Sequence, residues 1–104
     1  MAITNTYSAR EYVKTVFDAT GVGRPVQVYG PGFDVQVIGV TSGGGTMVLQ
    51  RCYDAQITAA SVFTDVKSYT ADAEETGDHQ ANRAAWYRWK MTYVGGAPEG
   101  RIFV

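Results

Sequence analysis

Cysteine is almost absent from this chain. Cys52 stands alone, so no internal disulfide framework can hold the fold. A lone thiol in a strand-like run is most simply a small buried hydrophobe. Histidine is as scarce. His79 and Cys52, far apart in sequence, fall short of the three or four nitrogen or sulfur ligands that a zinc site gathers. No apolar run approaches the ~18 residues of a membrane span. The first residues carry neither a basic segment nor an apolar stretch of the secretory kind. The expectation is a chain made in a cytoplasm, with no membrane partner. Charge of one sign is missing too: nine basic and ten acidic side chains leave a formal net charge of −1. Nonspecific nucleic-acid binding needs a basic face that releases counterions, so nucleic acid is not an expected partner.

What remains is a chain of 104 residues, 45% hydrophobic and 12% aromatic, which gives room for one core and rules out wholesale disorder. One domain over residues 1–104 is expected. Strand signals follow one another, punctuated by glycine. Tyr12–Phe17 is β-branched and aromatic. Pro25–Tyr29 alternates and stops at Gly30, Pro31 and Gly32. Phe33–Val40 sets Phe33, Val35 and Val37 against Asp34 and Gln36. After the loop Gly43–Gly45, Thr46–Tyr53 places Met47, Leu49, Arg51 and Tyr53 on one side of the pleat. Ser61–Thr70 is rich in residues favoured on a pleated surface. Trp86–Val94 is the clearest strand, with Tyr87, Trp89, Met91 and Tyr93 opposite Arg88, Lys90 and Thr92. Arg101–Val104 closes the chain. About seven short strands with Gly/Pro turns predict an all-β, antiparallel, jelly-roll-like sandwich. The polar and acidic stretch Ala71–Asn82 reads as an excursion loop. Met1–Arg10, polar and without a strong strand signal, reads as an N-terminal arm that orders on a neighbouring subunit.

Candidate chemistry is thin. Asp65, Asp72, Glu74, Glu75, Asp78 and His79 are close in sequence, but their spacing lacks the Asp-x-Asp-x-Asp-Gly run of a calcium loop. A solvated loop accounts for them. Gly43, Gly44, Gly45 and Thr46 lack the lysine and the following helix that a phosphate loop requires. No serine carries a nucleophile motif, and His79 has no positioned partner. Neither catalysis, nor a metal, nor a cofactor is expected. The aromatics of Trp86–Val94 segregate from its basic residues, as in a strand that faces a core. Trp86 is out of phase with them and reads as a rim or interface residue. Arg51 shares a face with Leu49 and Tyr53. It is expected to lay its stem over apolar surface with its head in water, the other reading being a buried pair with Asp65.

Several segments carry a resemblance: Gly45–Asp54 (GTMVLQRCYD), Phe63–Val66, Ser68–Asp72 with Glu75, Trp86–Arg88, and the upstream Gly30–Val37. Together they resemble small β-sandwich virion proteins of tailed bacteriophages, most of all head decoration (cement) proteins, from about Asp18 onward. Ala55–Ala60 departs from that pattern, which usually has a glycine turn there. The resemblance implies a non-enzymatic structural protein on the capsid surface. It would bind across neighbouring subunits of the major capsid protein, as a dimer or trimer. Ile3, Thr4, Asn5, Tyr7 and Arg10 of the arm, with Trp86, are the expected partner-binding residues. The reading of a different class is a tail- or fibre-associated module that binds a receptor or carbohydrate.

Overall fold

Period-two alternation of apolar residues leaves the backbone no better option than pleated strands with one face buried. The computed structural model describes residues 3–7, 12–28, 33–77 and 84–104. Arg10, Asp78 and His79 lie outside them. Ten strands occur among the described residues: β1 (Ile3–Tyr7), β2 (Tyr12–Phe17), β3 (Gly21–Val22), β4 (Val26–Val28), β5 (Phe33–Ile38), β6 (Gly45–Cys52), β7 (Thr64–Tyr69), β8 (Ala73–Gly77), β9 (Ala85–Tyr93) and β10 (Glu99–Phe103).

Every pairing is antiparallel. β2 pairs with β10, β4 with β9, β5 with β8, and β6 with β7. The chain is therefore one long hairpin that turns back between β6 and β7. Rolling it up adds the pairs β10 with β5 and β9 with β6. Two sheets result, β1-β2-β10-β5-β8 and β9-β6-β7 with β3 and β4 both on the free side of β9. This is the jelly roll, an antiparallel all-β sandwich. β3 and β4 share one edge because Pro25, with no N–H to donate, interrupts it.

The core forms where the inner faces meet. Phe17, Val35, Val37, Met47, Leu49, Tyr87, Trp89, Met91 and Ile102 are all buried. Phe33 and Tyr87 pack with ring centroids 4.4 Å apart, and Tyr69 meets Trp89 edge-on at 5.7 Å. Trp89 also lies against the backbone of Gly100 on the opposite sheet. A Cβ there would sit 2.6 Å from the indole Cδ1.

Four expectations change. Seven strands become ten. The supposed acidic loop contains β8, because Ala73 and Glu75 are half-buried while Glu74 and Thr76 are exposed, an alternation that polar residues conceal. The supposed arm contains β1, whose Ile3–Tyr7 pair with Phe17–Val13 of β2. Thr, Ile and Tyr suit a pleated surface once a neighbouring strand supplies the hydrogen bonds. Finally, the triple glycine is a wide turn of π-helical geometry over Val40–Gly44, followed by β6. Gly45 there has φ 126°, and a Cβ on it would fall 2.0 Å from the Thr92 carbonyl oxygen.

Trp89→Ala should cost about 3–5 kcal/mol by loss of a buried aromatic. Gly100→Ala should cost about 1–3 kcal/mol by forcing the indole away. Urea unfolding of purified variants checks both, and parental midpoints would place Trp89 outside the core.

Candidate functional site

β6 is buried on both faces. Met47 and Leu49 point into the sandwich, yet Val48, Gln50 and Cys52, on the outward side, are also buried. In register they stand beside Lys90, Arg88 and Trp86 of β9. A buried amide needs partners, and Gln50 has two. Its Nε2 donates to Asp65 Oδ1 at 2.8 Å, and its Oε1 accepts from Arg88 Nε at 2.8 Å. The Arg88 guanidinium is also stacked on Phe63, 3.7 Å from the ring centroid. Desolvation lowers the Arg88 pKa from its usual value. Gln50, Asp65, Arg88 and Phe63 thus form a clasp on the outside of the sheet. It ties down the return end of the segment that links β6 to β7.

That segment, Tyr53–Phe63, is the turn-back of the long hairpin. It carries no charged residue from Ala55 to Phe63. Thr58 and Ser61 brace its tip: Ser61 N–H donates to the Thr58 carbonyl at 3.1 Å, and Thr58 N–H to Ser61 Oγ at 2.9 Å. Val62 is 78% exposed and Tyr53 is 40% exposed. Arg51 is half-buried, with its guanidinium 4.9 Å from the Tyr53 ring centroid. The expected alternative, a buried pair with Asp65, is not what that acid makes: Asp65 accepts from Gln50.

Acidic residues of the former loop are absorbed by the fold. Glu75 accepts from Lys67 Nζ at 2.6 Å and from the Tyr69 hydroxyl at 2.7 Å, joining β7 of one sheet to β8 of the other. Asp72 Oδ1 accepts from the N–H groups of Val40 at 2.7 Å and Thr41 at 2.9 Å, which caps the wide turn. These hydrogen bonds hold both carboxyls below the usual range, through Thr41 foremost for Asp72 and Lys67 foremost for Glu75. Burial first, then Glu75, push the Tyr69 phenol well up.

On the outer face of the β1–β8 sheet, Glu99 bonds Arg101, Arg101 donates to Gln36 at 3.3 Å, and Gln36 donates to Glu74 at 2.7 Å. A shallow groove of about 450 Å³ beside this row is lined by Asp34, Gln36, Glu74, Thr76 and Phe103. Its carboxylates already accept from Thr76 and Gln36. Among the described residues, no three His, Cys, Asp or Glu side chains converge as a metal site would need.

Of the residues expected to bind a partner, those described are placed on two sheets. Ile3, Thr4, Asn5 and Tyr7 belong to β1 at the edge of one sheet, and Trp86 belongs to β9 of the other. Trp86 is half-buried, and its buried indole N–H has no hydrogen-bond partner among the described residues. The clasp went unread as a unit because its members are 15 and 38 residues apart. Val62 went unread because it continues a strand-like run.

Stability should follow the pKa directions. Asp72 and Glu75 favour folding when ionised, so stability should fall as pH drops below about 4.5, and Asp72→Asn or Glu75→Gln should soften that fall. Tyr69 keeps its proton only while folded, so stability should also decline above about pH 10, less so in Tyr69→Phe. Denaturant midpoints across pH test both limbs. Compared with known protein families, curated proteins and solved structures, the chain matches none.

Proposed function

We propose that this chain is a structural protein of a tailed-phage virion that decorates the head by binding across neighbouring major capsid protein subunits. It acts by contact and not by catalysis. The single observation that carries the reading is the Tyr53–Phe63 excursion, uncharged from Ala55 to Phe63 and with Val62 78% exposed. An uncharged segment anchored at its return end and braced at its tip loses less entropy on docking than a free loop would. Its base is the clasp of Gln50, Asp65 and Arg88, drawn from the same segments that carry the phage-protein resemblance. Many copies on one shell would each gain from contacts to more than one subunit. Sugar platforms stack several aromatics on one face. Among the residues whose burial is described, Tyr53 is the large aromatic that stands exposed, which favours the capsid over a carbohydrate.

The test is co-sedimentation with capsids that lack the protein. Full-length chain should bind assembled shells far more tightly than isolated capsid subunits. Val62→Asp should weaken binding about tenfold or more, while changing stability by less than about 0.5 kcal/mol. Absence of capsid binding, alongside tight binding to tail particles or a glycan, would transfer the assignment to the receptor-binding class.

A further inference from the structure

A sheet edge presents unpaired backbone N–H and C=O groups, and another strand will add to it unless something blocks the approach. Three of the four edges of this roll are blocked. β8 carries Glu74 and Glu75, the latter bridged to Lys67. β7 carries Asp65 and Lys67, and its register with β6 shifts between Leu49 and Gln50. β3 and β4 are two and three residues long and are parted by Pro25. The fourth edge has none of these devices. β1 is five residues, ITNTY, without charge, proline or glycine, in unbroken register with β2. Among the described residues it pairs with β2 alone.

We propose that β1 is a homodimer interface, at which a second copy of this chain adds its own β1 antiparallel about a twofold axis. An isologous contact requires a segment that complements itself. Full overlap of two such strands centres the axis on Asn5. Ile3 then stands opposite Tyr7 of the second copy, Thr4 opposite Thr6, and Asn5 opposite Asn5. Aromatic with β-branched and threonine with threonine are stabilising cross-strand pairs, and no like charges meet. The two five-stranded sheets become one of ten strands, within the range of open sheets. A single short strand pair buries less than the roughly 1,200 Å² of a stable interface, so the dimer is weak and concentration-dependent. It stands apart from the capsid reading, and its test uses no capsids.

Sedimentation of the full chain from about 1 μM to about 1 mM should show a monomer–dimer equilibrium. Asn5→Lys and Asn5→Asp should each raise the dissociation constant about tenfold or more at low salt, because like charges would meet on the axis. Mixing the two variants should restore dimers, since unlike charges then meet. Asn5→Cys with Cys52→Ala, which adds no charge, should cross-link to itself on oxidation. Thr4→Cys should do so much less, being diagonal to its own copy. A chain monomeric throughout the range overturns the proposal. So does a dimer indifferent to both charged variants, a mixture that fails to recover pairing, or an Asn5→Cys chain that does not cross-link.

Discussion

An indole pressed against a glycine sets the spacing of this sandwich. Trp89 lies on β9 and Gly100 on β10, at the middle of opposite sheets, and a Cβ on Gly100 would stand 2.6–2.7 Å from three indole atoms. The ring therefore crosses the core to the bare backbone of the opposite sheet. Leu49 stands beside it in register, and Tyr69 meets its edge, so β6, β7, β9 and β10 all converge on one side chain. The buried indole N–H has no partner among the described residues, and leaving such a group unpaired costs about 1–3 kcal/mol. Burial of the large ring offsets that cost.

A second, thinner layer grows from the opposite face of the same strands. Gln50 and Arg88 are neighbours in register on β6 and β9, and Asp65 reaches Gln50 from β7. Phe63 then covers the guanidinium from the chain that leads into β7. Gln50 is the buried member of the set, so deleting either partner leaves one end of its amide desolvated and unpaired. The clasp therefore couples the start of β7 to the centre of the sheet. The excursion is in consequence anchored at its return end, through Phe63.

The jelly roll was legible where one face of a strand is apolar. Val35 with Val37, and Tyr87 with Trp89 and Met91, declare their pleat without help. β8 was not legible, because its inward residue is Glu75 and the partners that make this tolerable, Lys67 and Tyr69, come from another strand. β1 was missed for a related reason: Ile3–Tyr7 has few apolar residues, and its place is fixed by backbone pairing with β2. On β6, alternation placed Met47 and Leu49 on one face, and on the other only Cys52 was expected to be buried. The burial of Gln50 beside it depends on Asp65 and Arg88, which lie far along the chain. Local pattern reports which face could be buried. It does not report what arrives from elsewhere to cover the other.

Charge placement then sorts the surface into parts that repel company and parts that admit it. The edges at β7 and β8 carry carboxylates and lysine, and the outer row Glu99, Arg101, Gln36 and Glu74 saturates its own hydrogen bonds. β1 and Ala55–Phe63 are two of the uncharged stretches among the described residues. They belong to different sheets: β1 edges one, and the excursion is clasped to the outer face of the other. Occupying one therefore leaves the other open. A pair joined through β1 would carry two excursions. Once the first is seated, the second would find its site at a high effective concentration. Two contacts, each too small to hold alone, can thus give tight attachment to a repeating surface and almost none to a single subunit.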